Sequence, residues 1–135
     1  MKLLIDCNIV LDVLQNRQSF VEPSSAIWKL CETGQIQGYV SVLTFANVVY
    51  IMRKELDPQT VEDTLQKLSL IFKFVDLEVI DAVRAAELHW DDFEDAIQSV
   101  TADRLNVDFI VTRNVRDFAK SKVVALMPSE LLARI

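Results

Sequence analysis

The sequence contains few of the residues that interrupt a folded chain, with two glycines and three prolines among its 135 residues. Such low contents exclude collagen-like, linker-like and disordered chains. Cysteine is scarce as well, and Cys7 and Cys31 stand too far apart for a CxxC motif, which excludes a zinc framework and a thiol redox motif. We expect both thiols to be reduced and to pack as small hydrophobic side chains.

Long hydrophobic runs are also missing. No stretch approaches the roughly 18 uninterrupted apolar residues that a membrane helix requires. In the first ten residues, MKLLIDCNIV, Asp6 interrupts the apolar run, so the segment lacks the hydrophobic region of a secretory signal. We therefore expect a cytoplasmic protein without a membrane segment.

Positive charge is in deficit, with 14 basic against 20 acidic side chains and a formal net charge of −6. This balance argues against a protein that holds nucleic acid by bulk positive charge. It permits a protein that reaches an anionic substrate through bound metal ions, which reverse the local field. The length, with 51% hydrophobic residues, predicts one compact domain over residues 1–135.

Apolar runs typical of buried strands alternate along the chain with segments of helical spacing, a pattern that indicates an α/β domain with a mainly parallel sheet. The predicted strands cover residues 2–7, 36–42, 73–75, 107–112 and 123–126. The predicted helices cover residues 8–16, 22–32, 44–56, 58–70, 79–90 and 92–105, with a short segment near 117–120 and a last helix from Pro128.

Acidic and amide side chains follow three of the predicted strands. They are Asp6 and Asn8 after the first strand, Asn47 on the helix after the second, and Asn114 and Asp117 after residues 107–112. In an open parallel sheet, ligands bind outside the carboxyl ends of the strands. A carboxylate that follows a buried strand is costly unless a cation occupies the crevice, so the pattern predicts a cation site at this edge.

A predicted helix adds further acids. Asp92, Asp95, Ser99 and Asp103 recur on one stripe of the helix over 92–105, and Phe93, Ala96, Ile97 and Val100 form the expected packing face. If this helix lies beside the first strand, Asp95 meets Asp6 and Asp117 around a divalent ion. Clustered oxygen ligands suit Mg²⁺ or Mn²⁺ rather than zinc or copper.

Four segments in this order resemble the motifs of PIN domains: LLIDCNIVLD, SVLTFANVVYIMRK, DFEDAIQSVTA and IVTRNVRDF. PIN domains are small metal-dependent ribonucleases, and many are toxins of VapC-type toxin–antitoxin pairs. The resemblance extends over residues 3–126. It implies a PIN-like fold, which is a three-layer sandwich around a parallel sheet, and it implies catalytic metal ligands at Asp6, Asp95 and Asp117.

Two positions depart from the family pattern. Asn47 stands where most of these nucleases carry a glutamate, and Asn114 stands where an aspartate is usual. An amide oxygen can bind Mg²⁺ but supplies no negative charge, so we expect one metal ion or weaker binding. The same replacement of acids by asparagine resembles the pattern of a PIN subfamily, and we count Asn47 and Asn114 among the metal ligands. Asp92 and Glu94 are placed to replace part of the missing negative charge.

Other polar residues complete the expected site. The resemblance implies that Asn8 is the usual amide neighbour of the first aspartate, and Asp92 and Thr112 are placed to orient ligands. Arg113 and Arg116 are the best placed to contact a phosphate. His89, the one histidine, stands at a predicted helix end, where we expect it to pack or cap the helix rather than act as a base.

Together these features predict an Mg²⁺- or Mn²⁺-dependent endoribonuclease that is the toxin of a toxin–antitoxin pair. We expect an RNA substrate, an antitoxin protein as partner and a homodimer. The apolar helices predicted over 44–56 and 61–72 form a dimer interface, a groove for the antitoxin or part of the hydrophobic core. The alternative is a catalytically weak or inactive PIN-like module that binds RNA or protein. A receiver-like phosphorylation domain is disfavoured because the sequence lacks the acidic pair after the first strand and a late strand-end lysine.

Overall fold

The computed structural model describes residues 1–135, in which five strands alternate with seven α-helices and one 3₁₀ helix. The strands are β1 (Lys2–Ile5), β2 (Gln37–Ser41), β3 (Lys73–Val75), β4 (Phe109–Val111) and β5 (Ala125–Leu126). The α-helices are α1 (Cys7–Leu14), α2 (Val21–Glu32), α3 (Val42–Met52), α4 (Pro58–Ile71), α5 (Val79–Leu88), α6 (Phe93–Leu105) and α7 (Pro128–Leu132). The 3₁₀ helix covers Val115–Phe118.

The five strands form one sheet in the order β3-β2-β1-β4-β5, and every neighbouring pair is parallel. The prediction of a mainly parallel sheet is therefore confirmed. The chain builds outward from β1 to β3 on one side and then returns to add β4 and β5 on the other. The strand order thus reverses between β1 and β4, and such a switch point is where open α/β sheets bind their ligands.

Helices cover both faces of the sheet, which gives the expected three layers. Leu3 and Ile5 of β1 face a core formed with α1, α2, α3, α4 and α7. Leu4, between them, faces the opposite core, which includes α6 and the 3₁₀ helix. α5 packs on the outer side of α6. The central strands β1 and β4 are buried on both faces over most of their length, which explains why the sequence shows a continuous apolar run at each of them.

Capping residues set several helix bounds differently from the predicted ones. The first strand ends at Ile5 rather than Cys7, because the carboxylate of Asp6 accepts a hydrogen bond from the Cys7 amide and starts α1. Ser41 likewise caps α3 through the Thr44 amide, so that helix begins at Val42. The expected capping role of His89 is confirmed, since it ends α5 in a left-handed conformation with φ of 55°.

The packing face predicted for the helix over 92–105 is correct except at its first residue. Ala96, Ile97 and Val100 are buried, whereas Phe93 is 49% exposed. The C-terminal half of α6 is fastened to α5 by ion pairs. Arg104 donates to both carboxylate oxygens of the fully buried Asp81 at 2.9 Å, which joins the last turn of α6 to the first turn of α5.

Both glycines occupy positions that disfavour a side chain, Gly34 because of its backbone conformation and Gly38 because of its close neighbours. Gly34 ends α2 with φ of +78°, which other residues rarely adopt. In β2, a Cβ on Gly38 would lie 2.7 Å from the Cys31 sulfur and 2.9 Å from the Phe72 ring. None of the helices is both long enough and apolar enough to cross a membrane.

Candidate functional site

The site centres on Asp6, which follows the last residue of β1 at the point where the strand order reverses. Asp6 is 8% exposed. Its backbone amide still pairs with β4, donating to the Val111 carbonyl at 3.0 Å. One carboxylate oxygen accepts from the Cys7 amide and the other from the Thr112 hydroxyl, both at 2.8 Å. Burial raises the pKa of Asp6 more than these hydrogen bonds lower it, and nearby Asp92 raises it further.

Thr112 connects Asp6 to the segment that follows β4. Its hydroxyl donates to Asp6. The same hydroxyl oxygen accepts from the side-chain amide of Asn8 at 3.4 Å and from the backbone amide of Asn114 at 3.0 Å. The oxygen of the Asn8 side chain in turn accepts from the Arg113 amide at 3.3 Å. Asn8 and Thr112 therefore hold the two strand ends together and fix the carboxylate of Asp6.

The first turn of α6 brings more carboxylates to the same edge. Asp92 caps the helix by accepting from the Asp95 amide at 3.0 Å. Burial is the largest of the effects that together raise the pKa of Asp95 to about 7, and it is followed in decreasing order by the charges of Asp92, Asp6, Asp117 and Glu94. Asp95 therefore lies among the other carboxylates at this edge of the sheet.

Asn47 approaches this group from α3. Its side-chain amide donates a hydrogen bond to the Glu94 carboxylate. Burial raises the pKa of Glu94, and the charges of Asp92 and Asp6 add to the effect. A carboxylate therefore stands directly beside the amide that replaces the glutamate expected at position 47.

Asp117 belongs to the 3₁₀ helix and lines an open pocket of about 390 Å³. Asp92 and Asp95 line the same pocket from α6, and Arg116 lines it next to Asp117. Asn114 caps the 3₁₀ helix without a hydrogen bond from its side chain, so its amide oxygen is not engaged in the cap.

The side chains around the pocket have the chemistry of a divalent-cation site. The donors are carboxylate and amide oxygens, which are the ligands of hard cations such as Mg²⁺. No three acidic, histidine or cysteine side chains are arranged as a ready-made coordination cage. Burial, and then the charges of neighbouring carboxylates, raise the pKa of Asp6 and of Asp95. A bound cation would offset both effects, so the oxygen donors fit such an ion.

Comparison with known proteins identifies the family. A model of the PIN domain matches residues 2–116 of the chain. The protein is a PIN domain. PIN domains are in general nucleases that use divalent metal ions. No curated protein matches the sequence of the chain.

Solved structures of toxin–antitoxin proteins share this PIN fold. VapBC2 from Rickettsia felis, solved with a promoter DNA fragment, is 14% identical with a TM-score of 0.74 over 94% of this chain and 98% of that chain. A toxin–antitoxin complex from Klebsiella pneumoniae is 24% identical with a TM-score of 0.71 over 93% and 96%. FitAcB from Neisseria gonorrhoeae is 18% identical with a TM-score of 0.72 over 94% and 98%.

The two arginines expected to contact phosphate have different surroundings in this PIN domain. Arg113 donates through Nε to the fully buried Asp12 at 3.0 Å and lies over the Phe20 ring at 4.0 Å. Arg116 is exposed and makes no ion pair. Arg113 is therefore held as the counter-ion of Asp12, and Arg116 remains free to meet an anion.

Two buried polar residues of this PIN domain are missed by sequence reasoning. Gln98 donates to Thr44 at 2.7 Å and to Asp6 at 3.5 Å, joining α6 to α3 and to the central carboxylate. The sequence feature that points to Gln98 is its position one helical turn after Asp95 on the same helix. Asp12 occupies the buried stripe of α1 at i+3 from Ile9, where an acid among apolar residues indicates a buried ion pair.

Replacing Arg113 by Gln should destabilise the fold much more than replacing Arg116 by Gln. Arg113→Gln leaves the buried Asp12 with the Ser24 hydroxyl and a 3.5 Å contact to Arg17. Breaking a buried pair in this way costs about 3 kcal/mol or more, whereas an exposed substitution stays within about 0.5 kcal/mol. Urea denaturation measures both values, and equal losses of unfolding free energy would contradict the structural role of Arg113.

Asp95→Asn should stabilise the metal-free protein above pH 7. The raised pKa of Asp95 makes the folded state bind more protons than the unfolded chain between pH 3.8 and about 7, so stability falls as the pH rises through this window. The asparagine removes this loss, which is complete above pH 7 and absent near pH 4. Thermal unfolding at both pH values, with the remote Asp63→Asn as control, tests it; a pH-independent difference would be the contrary result.

Proposed function

We propose that this PIN domain is an Mg²⁺- or Mn²⁺-dependent endoribonuclease. The proposal is supported by the position of Asp6 at the switch point of the sheet and by the pocket that Asp95 and Asp117 line together. Burial, and then the charges of Asp92, Asp6 and Asp117, raise the pKa of Asp95. Carboxylates in such a group are retained at a cost in stability. That cost is explained if they bind a cation needed for function.

Asp6, Asp95 and Asp117 would hold the ion, and the side-chain oxygens of Asn47 and Asn114 are the proposed neutral ligands. The chemistry that a divalent ion would supply there is activation of water and stabilisation of the leaving oxygen of a phosphodiester. Thr112 and the Cys7 amide orient the Asp6 carboxylate toward the strand ends. Asn8 fixes Thr112, and Asp92 holds the first turn of α6 so that Asp95 keeps its place.

The substrate phosphate is proposed to bind at the part of the pocket that Arg116 lines. Arg116 can donate to a phosphate oxygen in the pocket that Asp95 and Asp117 line. The proposed role of Arg113 in this site is indirect, because its guanidinium is bound to Asp12 while its backbone amide holds Asn8.

A second candidate function, an inactive module that binds RNA or protein, is favoured by the amides at positions 47 and 114 and by the absence of a ready-made coordination cage. The contact between Asn47 and Glu94 supports the nuclease instead, because it returns a negative charge to the position that lacks one. RNA that stays bound but uncleaved at saturating Mn²⁺ would favour the inactive binding module.

We further propose that the protein is the toxin of a toxin–antitoxin pair and forms a homodimer. The similar folds of VapBC2 from Rickettsia felis and the Klebsiella pneumoniae complex support the antitoxin partner. Exposed apolar side chains offer surfaces for both partners. They include Val79 (82%), Ile80 (48%) and Val83 (49%) on α5, and Tyr50 (65%) and Leu70 (86%) on α3 and α4.

Asp6→Asn should abolish RNA cleavage while the thermal stability stays equal or rises, because the substitution removes a proposed metal ligand and a buried charge. Cleavage of structured RNAs is measured with Mg²⁺, with Mn²⁺ and with EDTA, and EDTA should abolish it as well. The control is Asp63→Asn on α4, whose carboxylate bonds only to Gln59 and which should cleave like wild type. Full activity of Asp6→Asn, or cleavage in EDTA, would overturn the nuclease assignment.

A further inference from the structure

A second pocket, of about 220 Å³, adjoins the one that contains the carboxylates. Leu88 and Lys120 line both pockets, so the two are continuous along one wall. Lys122 lines the second pocket opposite α6. A ligand that starts at Asp95 and Asp117 can therefore extend past Lys120 into the second pocket.

The segment that carries these lysines is held against α6. Ser121, between Lys120 and Lys122, shares a 2.7 Å hydrogen bond with the Ser99 hydroxyl of α6. The Ser121 amide also donates to the carbonyl of Phe118 at 3.0 Å. Phe118 is 3% exposed and packs edge-to-face on Trp90. The backbone of the lysine segment is thus positioned relative to Asp95, although the lysine side chains themselves are exposed.

The positive charges along this wall form no ion pair within the protein. The ion pairs of the structure involve Arg17, Arg84, Arg104 and Arg113, and none involves Arg116, Lys120 or Lys122. On the opposite wall of the second pocket, Asp103 is already bound to Arg84 at 2.7 Å, which leaves Glu87 as the one acid there without an ion pair. Arg116, Lys120 and Lys122 thus bring three positive charges to one wall of the two pockets, beside the acidic cluster, in a protein of net charge −6.

We propose that Lys120 and Lys122, continuing from Arg116, form a track that binds the backbone phosphates of single-stranded RNA next to the scissile phosphate. The proposal rests on the proposed ribonuclease function, because it places the substrate strand relative to the candidate metal ligands. A groove lined by unpaired cations follows a phosphate backbone without reading its bases. The lysines therefore determine affinity and the direction in which the strand runs, and leave sequence preference to other residues.

The test is the salt dependence of RNA binding. Fluorescence anisotropy measures the Kd of a labelled single-stranded RNA of about a dozen nucleotides, in EDTA so that no cleavage occurs, between about 50 and 200 mM KCl. The track variant is Lys120→Gln with Lys122→Gln. The matched control is Lys29→Gln with Lys67→Gln, two exposed lysines on α2 and α4 that line neither pocket.

Loss of two phosphate contacts should make the slope of log Kd against log salt shallower by about 1.4, which is about 0.7 for each contact. The control pair should keep the wild-type slope, and thermal unfolding confirms that both variants fold. Equal slopes for the track and control variants would overturn the proposal, even where wild type cleaves RNA. A track-specific loss of slope without metal-dependent cleavage would uphold the track and reject the nuclease. Absence of RNA binding by wild type in EDTA would overturn the track, and the cleavage assay with Mg²⁺, Mn²⁺ and Asp6→Asn decides the nuclease separately.

Discussion

Asp6 carries a carboxylate into the one place in the sheet where the strand order reverses, and there it is almost removed from water. Hydrogen bonds from Thr112 and the Cys7 amide offset only part of the cost of burial, so the pKa of Asp6 stays raised. The first turn of α6 then adds Asp95, whose pKa reaches about 7. The arrangement of strand ends, caps and helix thus accumulates negative charge that a cation can neutralise.

The distribution of charge around the pocket reconciles an acidic protein with an anionic substrate. Acids of α6 and the 3₁₀ helix occupy one part of the pocket, and the exposed Arg116 and Lys120 occupy another. A divalent ion on the acidic side would reverse the local field, and the unpaired basic side chains would then meet the phosphates that flank it. Arg113, the other arginine of this region, forms an ion pair with Asp12 and therefore stabilises the fold.

Local patterns predict the alternation of strands and helices, because apolar runs and capping residues act within a few positions along the chain. They also predict which acids end the strands, including Asp6 and Asp117. They do not predict the partners of Arg113 and Gln98, which lie 101 and 54 residues away at Asp12 and Thr44. Those contacts depend on how α1, α3 and α6 pack, and no sequence period records that packing. The nearness of Asp95 to Asp6 likewise requires α6 to lie beside β1, a condition that the sequence alone does not establish.

The central claim is that these carboxylates bind a divalent ion, and anomalous X-ray scattering from crystals grown with Mn²⁺ tests it most directly. The expected result is an anomalous peak within coordinating distance of the carboxylate oxygens of Asp6 and Asp95, with Asp117 or an amide oxygen of Asn47 or Asn114 turned toward it. Mn²⁺ bound only elsewhere, or no peak at saturating Mn²⁺, would contradict the account.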